Sequence, residues 1–207
     1  MTLMERTRLL ITTPRLTLLP PVNLTRCIEE YIEAIGESLQ ELSRWLPWAK
    51  RIPSVSWVES YVAESDLGWS QMSNYSRLPI WIMDRETEKL LGQIVMWNFD
   101  WEIPKIEFGY WLRTSQTGQG YVTEAVNAIS RYAFSQFKAN RIEIRCEIDN
   151  TRAQQVPRNL NFHQDGIFQS SARAVSDYRL TDVIIFSITE TTNLPPLEIT
   201  WQDLAKF

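Results

Sequence analysis

The sequence predicts a mixed α/β domain, and three observations carry that expectation. Apolar residues alternate along several short runs, as in half-buried strands, and recur at helical spacing along others. The segments follow one another as strand, helices, meander, loop and helix, strand, helix and strands. That order is not the strict alternation of a parallel α/β sheet.

Residues 15–19 (Arg-Leu-Thr-Leu-Leu) alternate and stop at Pro20-Pro21, a first strand. Asn23 stands where a helix cap belongs, and Leu24, Cys27, Ile28, Tyr31, Ile32 and Ile35 follow at helical spacing. On the other side of that helix Glu29, Glu33 and Glu37 form a stripe, continued by Glu41. A shorter helix is expected over 39–45, ending at Pro47, and another over 55–72 carrying Val58, Tyr61, Val62 and Trp69. Residues 78–83, 90–98 and 105–112 read as a three-strand meander, with turns at 84–89 and 100–104. After 113–120 the helical period returns, with Val122, Ala125, Val126, Ile129, Ala133 and Phe137 on one face. Ile142, Ile144, Cys146 and Ile148 alternate with Glu143, Arg145 and Glu147, a half-buried strand. Residues 150–160 predict a short helix, with Pro157 in its first turns or at a kink, and 182–189 a late strand. The expectation is one domain over 1–189, with a tail over 190–207 that docks on it and carries no assigned function.

Composition narrows the function. With 207 residues, 44% hydrophobic and 22% charged, the chain is long enough for one sizeable core and too apolar for disorder. Two cysteines far apart, Cys27 and Cys146, offer neither a disulfide framework nor metal spacing, and one histidine, His163, excludes a His-rich metal site. A net charge of −4 argues against general nucleic-acid binding. No apolar run reaches the roughly 20 residues of a membrane span, and residues 1–11 lack a signal-peptide core. The expected location is the cytoplasm, with no membrane or nucleic-acid partner, as monomer or homodimer.

Three of the seven glycines fall between Gly109 and Gly120, and Gly118-Gln-Gly-Tyr-Val-Thr-Glu-Ala125 runs from a strand end into a helix start. Glycines there let the backbone turn tightly and present amide N–H groups beside the positive end of a helix, a site for phosphate or pyrophosphate. A plain strand-to-helix turn would look the same. The spacing matches neither a Rossmann fingerprint nor a Walker loop. Gly109, inside an alternating strand, predicts a bulge or a close backbone approach.

The blocks Glu107-Phe-Gly-Tyr-Trp-Leu112, Gly118–Ala125, Arg141-Ile-Glu-Ile-Arg-Cys146 and Asp149-Asn-Thr-Arg152 together resemble the GNAT N-acetyltransferase superfamily, in particular its RimJ/RimL-type ribosomal-protein N-terminal branch. Pro14-Arg-Leu16, Trp45-Leu-Pro-Trp48, Asn161-Phe162 and Asp165-Gly166 are similar to that branch too, so the resemblance spans residues 13–189. It implies a twisted, mostly antiparallel sheet flanked by helices and splayed between its fourth and fifth strands, with acetyl-CoA as co-substrate in the cleft. By that resemblance Tyr110, Trp111 and Leu112 face the pantetheine arm. Gly118, Gln119, Gly120, Tyr121, Val122 and Thr123 cradle the pyrophosphate, and Asn150 contacts the pantetheine or helps close the cleft.

The chemistry implied is acetyl transfer to a primary amine. The amine must lose its proton before it attacks, and Glu107 matches a carboxylate common on this strand in the branch, so it is the candidate base. A solvated or salt-bridged strand residue would read the same. The sequence departs from the branch in its other proton-transfer groups: Ala153 replaces a Ser proposed as acid and, by ungapped matching, Ala172 replaces a Glu proposed as base. Thr117 stands where the loop usually begins with Gln or Arg, and Asn161 replaces a Gly but tolerates a left-handed backbone. Cys146 reads as a buried strand thiol and His163 as a surface histidine. The glutamate stripe reads as a solvated face, or as an attractor for a cationic amine or basic peptide N-terminus. The expected acceptor is a protein N-terminus; a small-molecule amine, or a non-catalytic acyl-CoA-binding protein, are the alternatives.

Overall fold

The computed structural model describes residues 8–71 and 76–203. Among the described residues the order is β1 (Leu9–Thr12), β2 (Leu16–Leu19), α1 (Thr25–Leu42), α2 (Val55–Ser70), β3 (Arg77–Asp84), β4 (Leu90–Asp100), β5 (Lys105–Leu112), α3 (Tyr121–Gln136), β6 (Arg141–Glu147), α4 (Thr151–Asn159), β7 (His163–Arg173), β8 (Leu180–Ile188) and β9 (Thr200–Asp203). All nine strands join one sheet, ordered β7-β8-β6-β5-β4-β3-β2-β1-β9. Every neighbouring pair is antiparallel except β5 with β6. The chain thus adopts the mixed α/β class its periodicities predict.

The meander folds as its sequence suggests. The Asp84 carboxylate accepts from the Glu86 and Thr87 amides at the β3–β4 turn, and Asp100 does the same for Glu102 and Ile103 at the β4–β5 turn. Strand alternation then sorts two cores. Leu18, Ile80, Ile94, Phe108 and Ile144 pack under α3 and α4, whereas Leu19, Trp81, Met83 and Trp111 pack under α1 and α2.

Several elements differ from expectation. α1 runs unbroken to Leu42, because Ile35 and Leu42 extend its buried face, so no separate helix exists over 39–45. Its cap position is Leu24 rather than Asn23, with no side-chain cap. Ser54 caps α2 by accepting from the Trp57 amide; Met72, at the expected end of that helix, lies outside the described residues. The short strands β1 and β9 were not expected. They pair with each other, Leu9 opposite Asp203 through Thr12 opposite Thr200, so part of the 190–207 tail forms the sheet's last strand. With β1 added, the expected fourth and fifth strands are β5 and β6.

Gly109 makes no bulge: it pairs regularly with Val95, and a Cβ there would meet only the Trp97 Nε1, at 3.8 Å. The close approach occurs instead at Gly92, where a Cβ would stand 2.2 Å from the Trp111 carbonyl oxygen. Both groups are strand backbone, so neither can yield cheaply. Gly92→Ala is expected to destabilise the protein by about 1–3 kcal/mol, the usual scale for overpacking, read as a lowered urea midpoint at unchanged m-value.

Candidate active site

The site begins where β5 and β6 part. Their parallel pairing holds for Lys105–Arg141, Ile106–Ile142 and Glu107–Glu143, and ends there. β5 remains paired with β4 as far as Leu112 opposite Gly92. The Arg113 amide donates to the Leu91 carbonyl on the β4 side. By strand alternation the backbone groups of Tyr110 and Leu112 therefore face the opposite side, into the gap. A cleft of about 810 Å³ opens there, running between the two halves of the sheet.

At the end of β5 a single 3₁₀ turn (Thr114–Gln116) leads into the glycine loop. Gly118 and Gly120 both sit at φ +81°, in the left-handed region that side chains disfavour, and α3 starts directly after Gly120 without a side-chain cap. Among the described residues no protein acceptor takes the amide N–H of any residue from Gly118 to Thr123; the first helical bond is Glu124 N–H to the Gly120 carbonyl. Six donors thus collect at the positive end of α3.

The loop is held from two directions. On one side α1 grips its start: the nearly buried Arg113 guanidinium donates to Glu33 at 3.0 Å and Glu37 at 3.2 Å, while Glu37 accepts the Ser115 amide and Ser38 the Thr114 amide. Burial pushes the Glu37 carboxyl up, but the Ser115 and Arg113 hydrogen bonds outweigh it and hold the group below its usual range. On the other side Arg15 and Thr13 bind Glu124 in the first turn of α3. The glutamate stripe is thus neither simply solvated nor wholly aimed at a ligand: Glu33 and Glu37 anchor Arg113, and of the four only Glu41 lines the cleft.

Of the residues expected at the coenzyme site, Tyr110, Trp111, Leu112, Gly118, Gly120, Tyr121, Val122, Thr123 and Asn150 line this one cleft. Gln119 does not; its carbonyl accepts from Arg15 and its side chain bonds Gln116. Asn150 also caps α4, accepting from the Ala153 amide at 3.1 Å. Glu107 stands beside the cleft but does not line it. It is buried at the fork, 3.3 Å from the Asn98 amide nitrogen and 3.5 Å from the Arg145 guanidinium. Burial pushes its carboxyl above the usual range, against the pull of Asn98 and Arg145. Glu143, directly opposite, is also pushed up by burial, but hydrogen bonds from Arg141 and Arg145 hold it below its usual range.

The cleft wall also carries Arg145, Glu147, Arg152 and Ser171, none of which the sequence marked as functional. β7 carries a register shift between Phe168 and Ala172, so Ser171 lines the cleft while Ala172 pairs with Thr181. An ungapped reading could not see that bulge. Cys146 lines the cleft as a thiol pushed up to about 12 by burial and by the Glu107 carboxylate, which disfavours the thiolate. His163 is exposed at the start of β7, and Asn161 takes φ +58°.

Pro157 lies in the interior of α4, not in its first turn. Lacking an N–H, it leaves the Ala153 carbonyl without its usual helical donor, and the Tyr110 hydroxyl supplies one at 2.7 Å. Burial raises the Tyr110 phenol well above its ordinary value, so this hydroxyl remains protonated and committed to that carbonyl.

The sequence profile of the GNAT acetyltransferase domain matches residues 15–163. The chain belongs to the GNAT family. The chain is 32% identical over 107 residues to an uncharacterized N-acetyltransferase, p20, of Bacillus licheniformis, a match covering 52% of this chain and 59% of that protein. It is 22% identical over 150 residues to the ribosomal-protein-serine acetyltransferase of Escherichia coli K12, covering 69% of this chain and 79% of the relative. The microcin C7 self-immunity acetyltransferase MccE, solved with acetyl-CoA and AMP, shares the fold at TM-score 0.75 and 21% identity, over 86% of this chain and 93% of that one.

Acyl transfer from acetyl-CoA to an amine is the chemistry of this GNAT family. The cleft fits such a co-substrate on two physical counts: unpartnered amides suit a pyrophosphate, and a free strand edge suits the amides of a pantetheine arm.

The Tyr110–Ala153 bond yields a prediction. Tyr110→Phe removes the donor to a part-buried carbonyl and is expected to cost about 0.5–1.5 kcal/mol in chemical denaturation. In a Pro157→Ala background, where residue 157 regains its N–H, the same substitution is expected to cost less than half as much.

Proposed function

We propose that the protein is an N-acetyltransferase that moves acetyl from acetyl-CoA to a primary amine, with a protein N-terminal amino group as acceptor. The observation that carries this reading is the loop of six unpartnered amides opening onto the same cleft as the free edge of β5. Gly118, Gln119, Gly120, Tyr121, Val122 and Thr123 would hold the pyrophosphate through backbone N–H groups. Tyr110, Trp111 and Leu112 would flank the pantetheine arm, and Asn150 would border it. When bound, acetyl-CoA supplies an activated acyl carbon with a thiolate leaving group.

The chain's own residues then have three tasks. The amine must arrive, and Glu41 and Glu147 are the carboxylates on the cleft wall that favour a cationic group. Trp45 borders the same wall, its indole N–H donating to Glu41 at 3.3 Å. The amine must lose a proton, and Glu107 is the proposed acceptor, directly or through water. Its raised basicity suits that task, and Gly109, on the same face of β5, leaves room beside it. Finally, backbone N–H groups on the gap side of β5 are placed to stabilise negative charge developing on the acyl oxygen. The new C–N bond forms as the C–S bond breaks, and the departing sulfur takes up a proton to leave as the coenzyme thiol. Neither Ala153 nor Ala172 can supply that proton, so it comes, directly or through water, from the attacking nitrogen, which sheds its second proton as the amide forms. The name of the Escherichia coli relative favours a peptide amine over a small one.

Coenzyme binding and thiol release, measured with acetyl-CoA against N-terminal peptides, polyamines and amino sugars, test the reading. Release with peptides alone is expected; binding without release from any amine would mean a non-catalytic binder. Gly120→Trp is expected to abolish coenzyme binding while leaving the circular dichroism spectrum unchanged, and unaltered binding would count against the loop. Glu107→Gln is expected to lower kcat/KM about 10²-fold or more, the usual worth of a general base. In the wild type, activity should fall as pH drops through a Glu107 pKa above the ordinary carboxylate value, and that acidic limb should vanish in the variant.

A further inference from the structure

We propose that Arg15 is a positioning residue for the coenzyme: through Glu124 and the Gln119 carbonyl it locks the glycine loop in the form that presents its amides to the cleft. This rests on the coenzyme site proposed above, yet Arg15 itself does not line that cleft.

The geometry is a clamp from outside the loop. Arg15 Nε donates to Glu124 Oε2 at 2.6 Å, and its backbone amide donates to Oε1 at 3.1 Å. The Thr13 hydroxyl donates to the same Oε1 at 2.6 Å. Arg15 Nη1 reaches past Glu124 to the Gln119 carbonyl at 2.9 Å, and its guanidinium lies over the Tyr121 ring, 4.6 Å from the centroid. The Gln119 bond matters most. In a trans peptide the carbonyl of one residue and the N–H of the next point in opposite directions, so holding the Gln119 oxygen on the Arg15 side turns the Gly120 N–H away from it. Gly120 lines the cleft and Gln119 does not, in keeping with that orientation.

The clamp is itself braced. Thr13 and Arg15 sit in the β1–β2 turn, where the Thr13 amide bonds the Leu16 carbonyl, and Arg85 bonds the carbonyls of both Thr13 and Arg15. A loop with two left-handed glycines and no helix cap would otherwise lose backbone entropy when it closes on a ligand. Arginine suits the task because its planar fork holds the carboxylate and the carbonyl on two nitrogens of fixed geometry, whereas a lysine ammonium is a single point on a flexible stem.

The test compares wild type, Arg15→Ala, Arg15→Lys, Glu124→Ala and the Ala–Ala double variant by calorimetric titration with coenzyme A, steady-state kinetics and hydrogen exchange. Arg15→Ala is expected to weaken coenzyme A binding and raise the KM for acetyl-CoA about tenfold. The kcat at saturation and the KM for the amine should change less than about twofold. Lysine should recover only part of the loss. The double variant should be no worse than about twofold beyond the weaker single variant, because both remove one unit. Amides 118–123 should exchange faster in the ligand-free Arg15→Ala protein. Unchanged coenzyme affinity, strictly additive losses, or a fall in kcat and melting temperature without a change in affinity would each overturn the proposal. Failure of the wild type to bind coenzyme A would instead overturn the coenzyme site beneath it, while the exchange rates would still judge the clamp.

Discussion

The parting of β5 and β6 after three residue pairs is the constraint on which the site depends. Two parallel strands that stopped pairing inside a closed core would strand their peptide groups at a cost of kilocalories. The sheet tolerates the break because each strand keeps its outer neighbour, β4 for β5 and β8 for β6. The exposed inner edge is thereby left polar, ordered and facing an open cleft. At the apex Glu107 and Glu143 stand directly opposite, two carboxylates that would repel if both were charged and unpaired. Arg141 and Arg145 resolve this asymmetrically, binding Glu143 closely and Glu107 at longer range. The same fork that opens the cleft therefore sets one carboxyl apart as the more basic.

The second requirement is a loop whose donors remain unused. Left to itself, a glycine-rich turn could fold its amides back onto nearby carbonyls. Here its two ends are tied to separate parts of the fold, through Arg113 to α1 and through Glu124 to Arg15 in the β1–β2 turn. These ties consume side chains and carbonyls and spare the amides of residues 118–123. Charge that looked like a solvated stripe on α1 turns out to be half of this fixture.

Legibility in the sequence followed the range of the interaction. The meander, α3 and β6 could be read because their signals are local: alternation, helical spacing and Asp-led turns. β1 and β9 could not: each has four residues, and among the described residues β9 pairs only with β1, nearly two hundred positions away. Gly92 and Gly109 look alike in the chain, both single glycines within strands. Only cross-strand register shows that one is pressed against a carbonyl and the other meets nothing nearer than the Trp97 indole. Likewise a bulge that no ungapped reading contains puts Ser171 on the cleft wall and pairs Ala172 with Thr181.

By itself, then, the sequence determined the element types, the mixed class and the position of a glycine turn at a helix start, because periodicity and backbone permissiveness are properties of neighbouring residues. The resemblance of four ordered blocks added the family. What tertiary structure alone decided was which groups remain free. Tyr110 is spent on a carbonyl orphaned by Pro157, Glu33 and Glu37 on Arg113, and Glu124 on Arg15. Whether a donor or a charge is available to a ligand depends on every partner within about 3 Å, and those partners come from parts of the chain far apart in order.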